Sequence, residues 1–508
     1  MSTSPAPAAA AAQPSPVAAA GAAGAPAGAV AALGGGALEE TGVDSRASWW
    51  VLAGCCVVAI FGVSALYGST FGLLMRPMQQ SLGWSRGEIA FSLTLMTLLG
   101  PAILPLVGWI IDNVPLRPLI LWGVVLQSVS LASFGFMSGG VWVYYALCVV
   151  MMIAATGASM LTLAKLLQTW FDKAFGRALG VLFAIVTVGA VVHPQVVSWV
   201  LQHFSWRESF YVMGALSLVF GGLAALWLVR ERPGAGERRA AARATEAADA
   251  KGDAATAAGE AAAADAASGT GAASAATATT ATRTAPAATP VSMRAFLGDR
   301  IWWVLAAWNM LFAFAVGGIF LHFAAMMQDR GLSLAQAATA MSLIGAGGFF
   351  GNLMAGWLID RYSATRLARA FVLAPLCAAV MLYAGSGVGV AIMAAVLLGI
   401  FNAGDHSLSV FLARRYFSAE TFGRASATQQ IATAFGGGIS PWLSGLVHDR
   451  TGSYDVALMM SIGAFLLAVV AAWLLPEFRS SGSVPGAAVE ANPRADAGGG
   501  PGRPGAVA

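Results

Sequence analysis

The chain has 508 residues, of which 58% are hydrophobic and 10% are charged, and its formal net charge at pH 7 is +4. Soluble domains carry about a quarter of their residues as charged ones, so this chain has too few charges to cover a water-facing surface of its size. The composition therefore excludes a soluble protein and indicates one whose solvent is lipid. The small positive charge does not indicate nucleic-acid binding, whose usual mark is a basic patch on a soluble face.

Apolar stretches long enough to cross a bilayer recur along the chain in two groups of six. Because an isolated strand in lipid would leave its backbone groups unpaired, each stretch is predicted to be a helix. The sequence thus predicts an all-α membrane protein with twelve transmembrane helices in two six-helix bundles. The predicted spans are 49–72, 88–111, 117–137, 141–164, 176–200 and 208–229, then 301–325, 335–359, 367–385, 388–412, 424–447 and 456–476.

The remaining segments are rich in Ala, Pro and Gly and hold few large apolar side chains, so they have little with which to offset the entropy cost of ordering. We predict that the two bundles occupy residues 47–232 and 296–478. The linker 233–295 and the tails 1–46 and 479–508 are predicted to be disordered.

Basic residues are unevenly shared between the two sets of loops. The loops on the side of the N-terminus hold most of them, including Lys173, Arg414 and Arg415, whereas the opposite loops hold few, such as Arg86 and Arg450. The positive-inside rule therefore predicts that both termini and the linker are cytoplasmic. The abundance of Ala and the preference for Arg over Lys are typical of a GC-rich bacterium, so we expect a bacterial inner membrane.

Short motifs of the first group return in the second at a nearly constant offset. GWIID at 108–112 returns as GWLID at 356–360, and FGRA at 175–178 returns at 422–425, with offsets of 248 and 247. A shared offset indicates an internal repeat. The two halves are predicted to be parallel repeats related by an axis along the membrane normal, the arrangement of proteins whose halves rock about a central site.

Each GW[IL]ID motif lies at the cytoplasmic end of the second span of its half, before a short basic turn. A carboxylate there can hold an arginine of the turn or cap a neighbouring helix. The glycine is expected to let two helices approach closely. We predict a gating latch that stabilises one of two access states without contacting a substrate. Its members are Gly108, Asp112, Arg117, Gly356, Asp360, Arg361, Arg366, Arg177 and Arg424.

Ionisable groups inside a span are costly and by default mark a pathway. The tenth span carries Asn402, Asp405, His406 and Ser409 at i, i+3, i+4 and i+7, which places them on one helical face. Asp405 can carry a proton, because burial favours the neutral form of a carboxyl group. His406 titrates near neutrality and could donate to a carboxylate. The alternative is that Asp405 and His406 pair with neighbouring helices for packing alone.

Other spans hold further candidates. Gln429 and Thr433 in the eleventh span could bind a carboxylate or make hydrogen bonds between helices. His193 precedes a proline, whose missing N–H leaves a carbonyl one turn earlier without its usual partner. Tyr67 in the first span could face a ligand in a central cavity or pack against neighbours. At the outer end of the seventh span, His322 is expected to lie at the membrane–water interface.

The GW[IL]ID loops resemble the signature loops of the major facilitator superfamily, and the resemblance covers about 47–478. Three further motifs resemble its monocarboxylate-transporter and oxalate:formate-antiporter branch: GWSR at 83–86, RYF at 415–417 and DRTGSY at 449–454. In similar bacterial members a carboxylate lies ten residues before the Arg-Tyr-Phe motif, a position that corresponds to Asp405.

The resemblance implies the major facilitator fold and secondary active transport of a small, monocarboxylate-like organic anion by alternating access. It also implies proton symport or exchange by a monomer without a cofactor. Two departures are present. Asn113 stands where the signature loop usually has arginine, and the span 335–359 lacks the aspartate–arginine pair of the animal carriers. The second departure weakens a lactate-type assignment.

Two other functions stay open at this point. One is proton-coupled efflux of drugs or metabolites, and the other is a membrane sensor that binds a solute without moving it. An enzyme is not expected, because the sequence shows no nucleotide-binding loop, no metal-ligand cluster and no Ser/His/Asp arrangement. We therefore expect no metal and no cofactor.

Overall fold

The computed structural model describes residues 43–232, 298–359, 361–417 and 419–476. The predicted linker and C-terminal tail, and residues 1–42 of the predicted N-terminal tail, lie outside these ranges. The last residues of that tail are described: the carboxylate of Asp44 accepts hydrogen bonds from the backbone N–H groups of Asp172, Lys173 and Ala174. These contacts attach the start of the first helix to the loop before Phe175.

The first half is helical, and three of its predicted spans are interrupted. The first span contains a π-helical segment, Ser64–Gly68, and the sixth contains another, Ser217–Gly221. The fourth is broken after Thr156 and resumes at Met160. The helices are α1 Arg46–Ile60, α2 Ser69–Leu82, α3 Arg86–Asn113, α4 Leu116–Phe134, α5 Val141–Thr156, α6 Met160–Trp170, α7 Phe175–His203, α8 Trp206–Leu216 and α9 Gly222–Trp227.

The second half consists of longer, uninterrupted helices. They are α10 Arg300–Asp329, α11 Leu334–Ile359, α12 Ala364–Ala384, α13 Val388–Tyr416, α14 Ala419–Thr451 and α15 Asp455–Leu474.

Within the described residues, nine helical stretches are long and apolar enough to cross a membrane, and α3 makes a tenth if its two parts, which meet at 60°, count as one span. Pro101 and Pro105 lie inside α3 and remove backbone donors near the bend. Helix α14 is not among the nine, and only Val388–Asn402 of α13 is apolar. The multi-pass helical membrane fold is therefore observed, while the count of twelve spans stays a prediction.

The two halves meet along four main pairs of helices: α3 with α14, α7 with α11, α2 with α10 and, to a smaller extent, α2 with α11. Small residues allow these approaches. A Cβ atom added to Gly72 would lie 2.7 Å from the carbonyl oxygen of Leu321, and one added to Gly345 would lie 2.9 Å from the carbonyl carbon of Ala190. Such distances leave room for a hydrogen atom only, so the backbones themselves are in contact.

The polar contacts between the halves lie toward one end of the bundle. We call the end where α3 begins and α10 ends the Arg86 end, and the end where α3 reaches Asp112 the Asp112 end. From the Arg86 end toward the middle, the Thr94 hydroxyl donates to the Gly438 carbonyl at 2.5 Å, and the Gln195 amide donates to the Ser342 hydroxyl at 3.0 Å. The halves are thus joined over the part of the bundle nearer the Arg86 end.

Candidate functional site

A cavity of about 470 Å³ lies in the first half, against the interruption of the first span. Helix α1 ends at Ile60, and the π-helical segment begins at Ser64, whose side chain is exposed. π-Helical segments inside helices are frequent at functional sites. The described residues around the cavity supply hydroxyl, phenol and amide groups, and none of them is charged. The polar ones are Ser64, Tyr67, Thr97, Gln127 and Ser159.

Side chains from other helices satisfy the backbone of the interrupted span. The Gln127 amide donates to the Phe61 carbonyl at 3.3 Å, and the His193 ring nitrogen Nδ1 donates to the Ala65 carbonyl at 3.2 Å. A carbonyl released from helical bonding inside a bilayer has no water to bind, so it needs such a partner. Predicted residue His193 therefore holds the interrupted span in shape, and its buried Nε2 has no hydrogen-bond partner among the described residues.

Tyr67 lies in the π-helical segment and lines the cavity. Its hydroxyl oxygen is 2.9 Å from that of Tyr144, which in turn is 2.8 Å from the Ser92 hydroxyl. These three residues come from three different spans of the first half. The structure thus shows a packing and hydrogen-bonding role for Tyr67 beside its place at the cavity wall.

A polar cluster in the second half is centred on Asn309 of α10. Its amide nitrogen donates to the Gln429 side-chain oxygen at 2.9 Å, and its amide oxygen accepts a hydrogen bond from the Ser409 hydroxyl. The Thr433 hydroxyl donates to the Gln429 carbonyl at 3.0 Å. That carbonyl lies one turn earlier on the same helix, so the Thr433 hydroxyl bonds its own helix backbone, while the structure brings Ser409 and Gln429 together around Asn309. Sequence reasoning missed Asn309, although a single amide in an otherwise apolar stretch was a usable signal.

Asp405 lies one turn from Ser409 on α13 and is only 7% exposed. Its oxygen Oδ1, like the amide nitrogen of Gln429, is buried without a hydrogen-bond partner among the described residues. Asn402 is exposed, so the predicted stripe is not uniformly buried. The side chain of His406 lies outside the described residues. Two unpartnered buried polar atoms beside a satisfied cluster are typical of a place that a ligand or a proton completes.

The predicted latch residues at the Asp112 end make contacts within the first half. The Asp112 carboxylate pairs with Lys165, and the Arg117 guanidinium donates to the Leu226 carbonyl at 3.0 Å. Lys165 was not predicted to belong to the latch. Arg177 is exposed on α7.

The second copy of the latch is described in part. The guanidinium of Arg361 lies over the ring of Trp357 at 4.1 Å, and Arg366 is exposed. Asp360 and the side chain of Arg424 lie outside the described residues. The close helix approach predicted at Gly108 and Gly356 is wrong for the described part of the chain, because no atom there lies within 4 Å of a Cβ added at either position. Both glycines face open space.

The Arg86 end holds a buried polar network that sequence reasoning did not predict. The guanidinium of Arg86, with a side chain 5% exposed, pairs with Asp329 and donates to the Tyr454 hydroxyl at 2.8 Å. The Asp449 carboxylate caps the start of α3 by accepting the N–H groups of Arg86 at 2.9 Å and Gly87 at 2.7 Å. Arg86 belongs to the first half, where its Nε also donates to the Gln79 side chain at 2.9 Å, and Asp329, Asp449 and Tyr454 belong to the second, so this network joins the halves.

His322 belongs to the same network, and its predicted interfacial position is wrong. The ring is 1% exposed, with Nδ1 2.9 Å from the Tyr454 hydroxyl and Nε2 2.8 Å from the Pro441 carbonyl. Helix α10 extends a turn past the predicted span, to Asp329, which places His322 inside the bundle. The GWSR and DRTGSY motifs, noted above only for their family resemblance, thus meet in space.

Known proteins with a similar sequence are transporters. The family profile of the Major Facilitator Superfamily matches residues 57–396, which is more than half of the chain. The probable sulfoacetate transporter SauU of Cupriavidus necator is 26% identical over 401 residues, which cover 76% of this chain and 82% of that protein.

Solved structures share the fold. A bacterial homologue of the human lysosomal transporter Spinster, in an inward-facing and unoccupied conformation, is 14% identical with a TM-score of 0.59, over 84% of this chain and 96% of that one. A mutant of the nucleoside transporter NupG is 12% identical with a TM-score of 0.63, over 84% of this chain and 99% of that one. The family match and the helical membrane fold agree, so the chain belongs to the major facilitator superfamily and is a transporter, not an enzyme.

Proposed function

We propose that this transporter moves a small organic anion, monocarboxylate-like or a sulfonated carboxylate, by alternating access and with proton symport or exchange. The observation that carries the proposal is the cavity of about 470 Å³, whose described lining offers hydroxyl, phenol and amide groups and no charge. Such groups bind carboxylate or sulfonate oxygens by hydrogen bonding. The volume leaves room for a small anion with some of its water.

The interrupted first span supports an anionic cargo. Residues Gly62, Val63 and Ser64 line the cavity where the second part of that span begins. The start of a helical segment carries partial positive charge, and interrupted helices in transporters direct this end toward anionic groups of the substrate. The proposal therefore needs no arginine or lysine at the cavity wall.

Proton coupling follows from the cost of moving charge through such a site. An unpaired charge in a weakly polar cavity is expensive, and an anion that travels with a proton crosses as a neutral pair. Asp405 is the proposed proton site, since it is a buried carboxyl group whose Oδ1 lacks a described partner. Asn309 and Gln429 would then hold the cargo from the second half. The similarity to a probable sulfoacetate transporter supports the anionic cargo.

The remaining predictions complete the proposal. We place the Arg86 end outside a bacterial inner membrane and both termini in the cytoplasm, with twelve spans in a monomer. In this orientation the contacts between the halves at the Arg86 end would close the outer side, and the Asp112–Lys165 pair and the Arg361 turn would belong to the proposed cytoplasmic latch. The two bundles are proposed to occupy residues 47–232 and 296–478.

The test is uptake of labelled acetate, lactate, oxalate and sulfoacetate into proteoliposomes, with and without an imposed pH gradient. We expect one acid to accumulate when the lumen is alkaline, and an uncoupler to abolish the accumulation. Counterflow in preloaded vesicles at equal pH tests exchange. If a monodisperse preparation takes up none of these acids in either mode, the anion proposal is wrong, and extrusion of cationic drugs against a pH gradient becomes the next experiment.

A further inference from the structure

The network at the Arg86 end also contains the imidazole of His448, a titratable group that has no part in the transport proposal. It lies near the end of α14, after the last residue of the predicted eleventh span, and its side chain is 13% exposed. Its ring packs on that of Tyr454, with centroids 4.4 Å apart. Water therefore reaches a titratable group that lies inside the contact between the halves.

His448 and Arg86 share the same two carboxylate oxygens. Nε2 of His448 is 3.5 Å from Oδ2 of Asp329, and the guanidinium of Arg86 pairs with this same oxygen. Nδ1 of His448 is 4.0 Å from Oδ1 of Asp449, the oxygen that accepts the backbone N–H of Arg86. His448 thus lies beside the same two carboxylates that Arg86 contacts, Asp329 through its guanidinium and Asp449 through its backbone N–H.

His448 and Arg86 belong to different halves. Asp329, His448 and Asp449 are all in the second half, whereas Arg86 is in the first. When the halves separate at this end, the two carboxylates lose Arg86 and keep His448. A protonated imidazole can then offset one of their two negative charges, whereas a neutral imidazole offsets none.

We propose that a proton on His448 replaces Arg86 as the counter-charge of Asp329 and Asp449, so that acid on this side of the membrane opens the Arg86 end. The proton is thereby a ligand that binds the open state more tightly than the closed one and shifts the equilibrium toward it. In the orientation proposed above, external acid would expose the site to the outside, the step that a proton-linked importer needs first.

The direction in which pH shifts the equilibrium between the closed and open states follows from the groups around His448. In the closed arrangement, the neighbouring carboxylates of Asp329 and then Asp449 raise the pKa of His448, while burial and the nearby charge of Arg86 oppose this. Opening removes the two opposing effects and keeps both carboxylates, which raises the pKa further. Burial alone would raise the pKa of Asp449, but the nearby imidazole of His448 and the hydrogen bonds from the start of α3 hold it below its usual value.

The other groups facing this site do not reverse the sign. Burial raises the pKa of Tyr454 well above neutrality, so its hydroxyl stays uncharged. Nε2 of His322 on α10 donates to the Pro441 carbonyl, and its Nδ1 lies 2.9 Å from the Tyr454 hydroxyl. Arg330 and Asp455, also at this end, pair with each other at 3.4 Å.

The experiment measures distances across the Arg86 end in the purified full-length protein without substrate. Spin labels are placed by Gln202→Cys and Thr339→Cys, two exposed positions near that end on α7 and α11, with Cys377→Ala because Cys377 is the exposed native cysteine among four. Pulsed electron resonance then gives the populations of short and long distances between pH 5.5 and 8. Because no cargo is present, the result does not depend on whether the anion proposal holds.

We expect the long-distance population to grow as the pH falls, with a midpoint above the ordinary value for histidine. Uptake of one proton changes the ratio of the two populations by at most about tenfold for each pH unit. His448→Gln should hold the short distance across the range, and His448→Lys, whose charge is permanent, should hold the long one. His203→Gln replaces an exposed histidine of the first half and should titrate as the parent does.

Three results would overturn the proposal. One is closure in acid, and another is an unchanged titration in His448→Gln. The third is a short distance throughout in His448→Lys with a normal elution profile, because a fixed charge would then have failed to replace Arg86. If His448→Gln does not fold, the lysine variant still decides the question.

Discussion

The two ends of the bundle carry motifs of the same kind, aspartates beside basic residues, yet they use them differently. At the Arg86 end the guanidinium is 5% exposed and its ion pair crosses from one half to the other. At the Asp112 end the carboxylate is 63% exposed and its partner Lys165 belongs to the same half. The comparison teaches that burial and the identity of the partner, not the presence of a charged motif, decide which end holds the halves together.

The energetic difference between the ends follows from solvent. An exposed ion pair contributes about 0–1 kcal/mol, because water screens it and two long side chains lose freedom. Removing one partner of a buried pair costs about 3–5 kcal/mol, since the other charge is left uncompensated. The network at the Arg86 end should therefore set the population of the closed state, while the pair at the Asp112 end adjusts it slightly.

The largest expected effect on the contact between the halves is that of Arg86→Ala. Its partner Asp329, whose side chain is 28% exposed, loses its cation, and we expect the closed state to lose about 3 kcal/mol, the low end of the range for buried pairs because water reaches this carboxylate. Hydrogen exchange of the backbone N–H of Gly87, which donates to Asp449, should become about a hundredfold faster. Unchanged exchange in a variant that elutes normally would show that the network does not hold the halves together.

The cluster between the two ends offers the next largest effect, through Asn309→Ala. The Gln429 oxygen and the Ser409 hydroxyl each lose a buried partner, so we expect a loss of about 2 kcal/mol of stability, measured by thermal unfolding in detergent. Uptake should fall as well. The matched control is Asn402→Ala, an exposed amide in the same region, which should change the midpoint little. Equal effects of the two variants would argue against the cluster.

The next prediction concerns Asp405→Asn, which tests Asp405 as the proposed proton site. The substitution keeps the shape of a buried side chain but removes the titratable carboxyl group. Accumulation driven by a pH gradient should therefore fall at least about tenfold, equivalent to about 1.4 kcal/mol. Counterflow at equal pH should persist. Uptake at the parent rate under a pH gradient would exclude Asp405 as the proton site.

The smallest expected effect is that of Asp112→Asn. The ion pair with Lys165 is exposed, so the closed-state equilibrium should shift by no more than about 1 kcal/mol, read from the spin-label populations described above. High salt should reduce the difference between parent and variant, because it screens the exposed pair. A shift as large as that of Arg86→Ala would mean that the Asp112 end controls the state after all.

Much of the fold was accessible from the residues alone. Each predicted span coincides with a helix or an interrupted helical stretch, because apolar side chains in lipid and fully paired backbone groups leave few other solutions. The interruption at Phe61 and Gly62 was not predicted, since a hydropathy window records side-chain polarity and not backbone conformation. The place of Asn309 was missed for a related reason: an uncharged amide changes a hydropathy profile little, whereas an ionisable group inside a span stands out.

The amino-acid sequence established a helical membrane protein and its superfamily, because hydropathy and short motifs are properties of residues close together along the chain. It also predicted two related halves and the site candidates Asp405, Ser409 and Gln429. Packing decided the rest. Arg86 meets Asp329 across 243 residues, and that pairing depends on how α3, α10 and α14 lie against one another. Local patterns report what each helix is made of, whereas the contacts that join the halves arise where distant helices exclude water from shared polar groups.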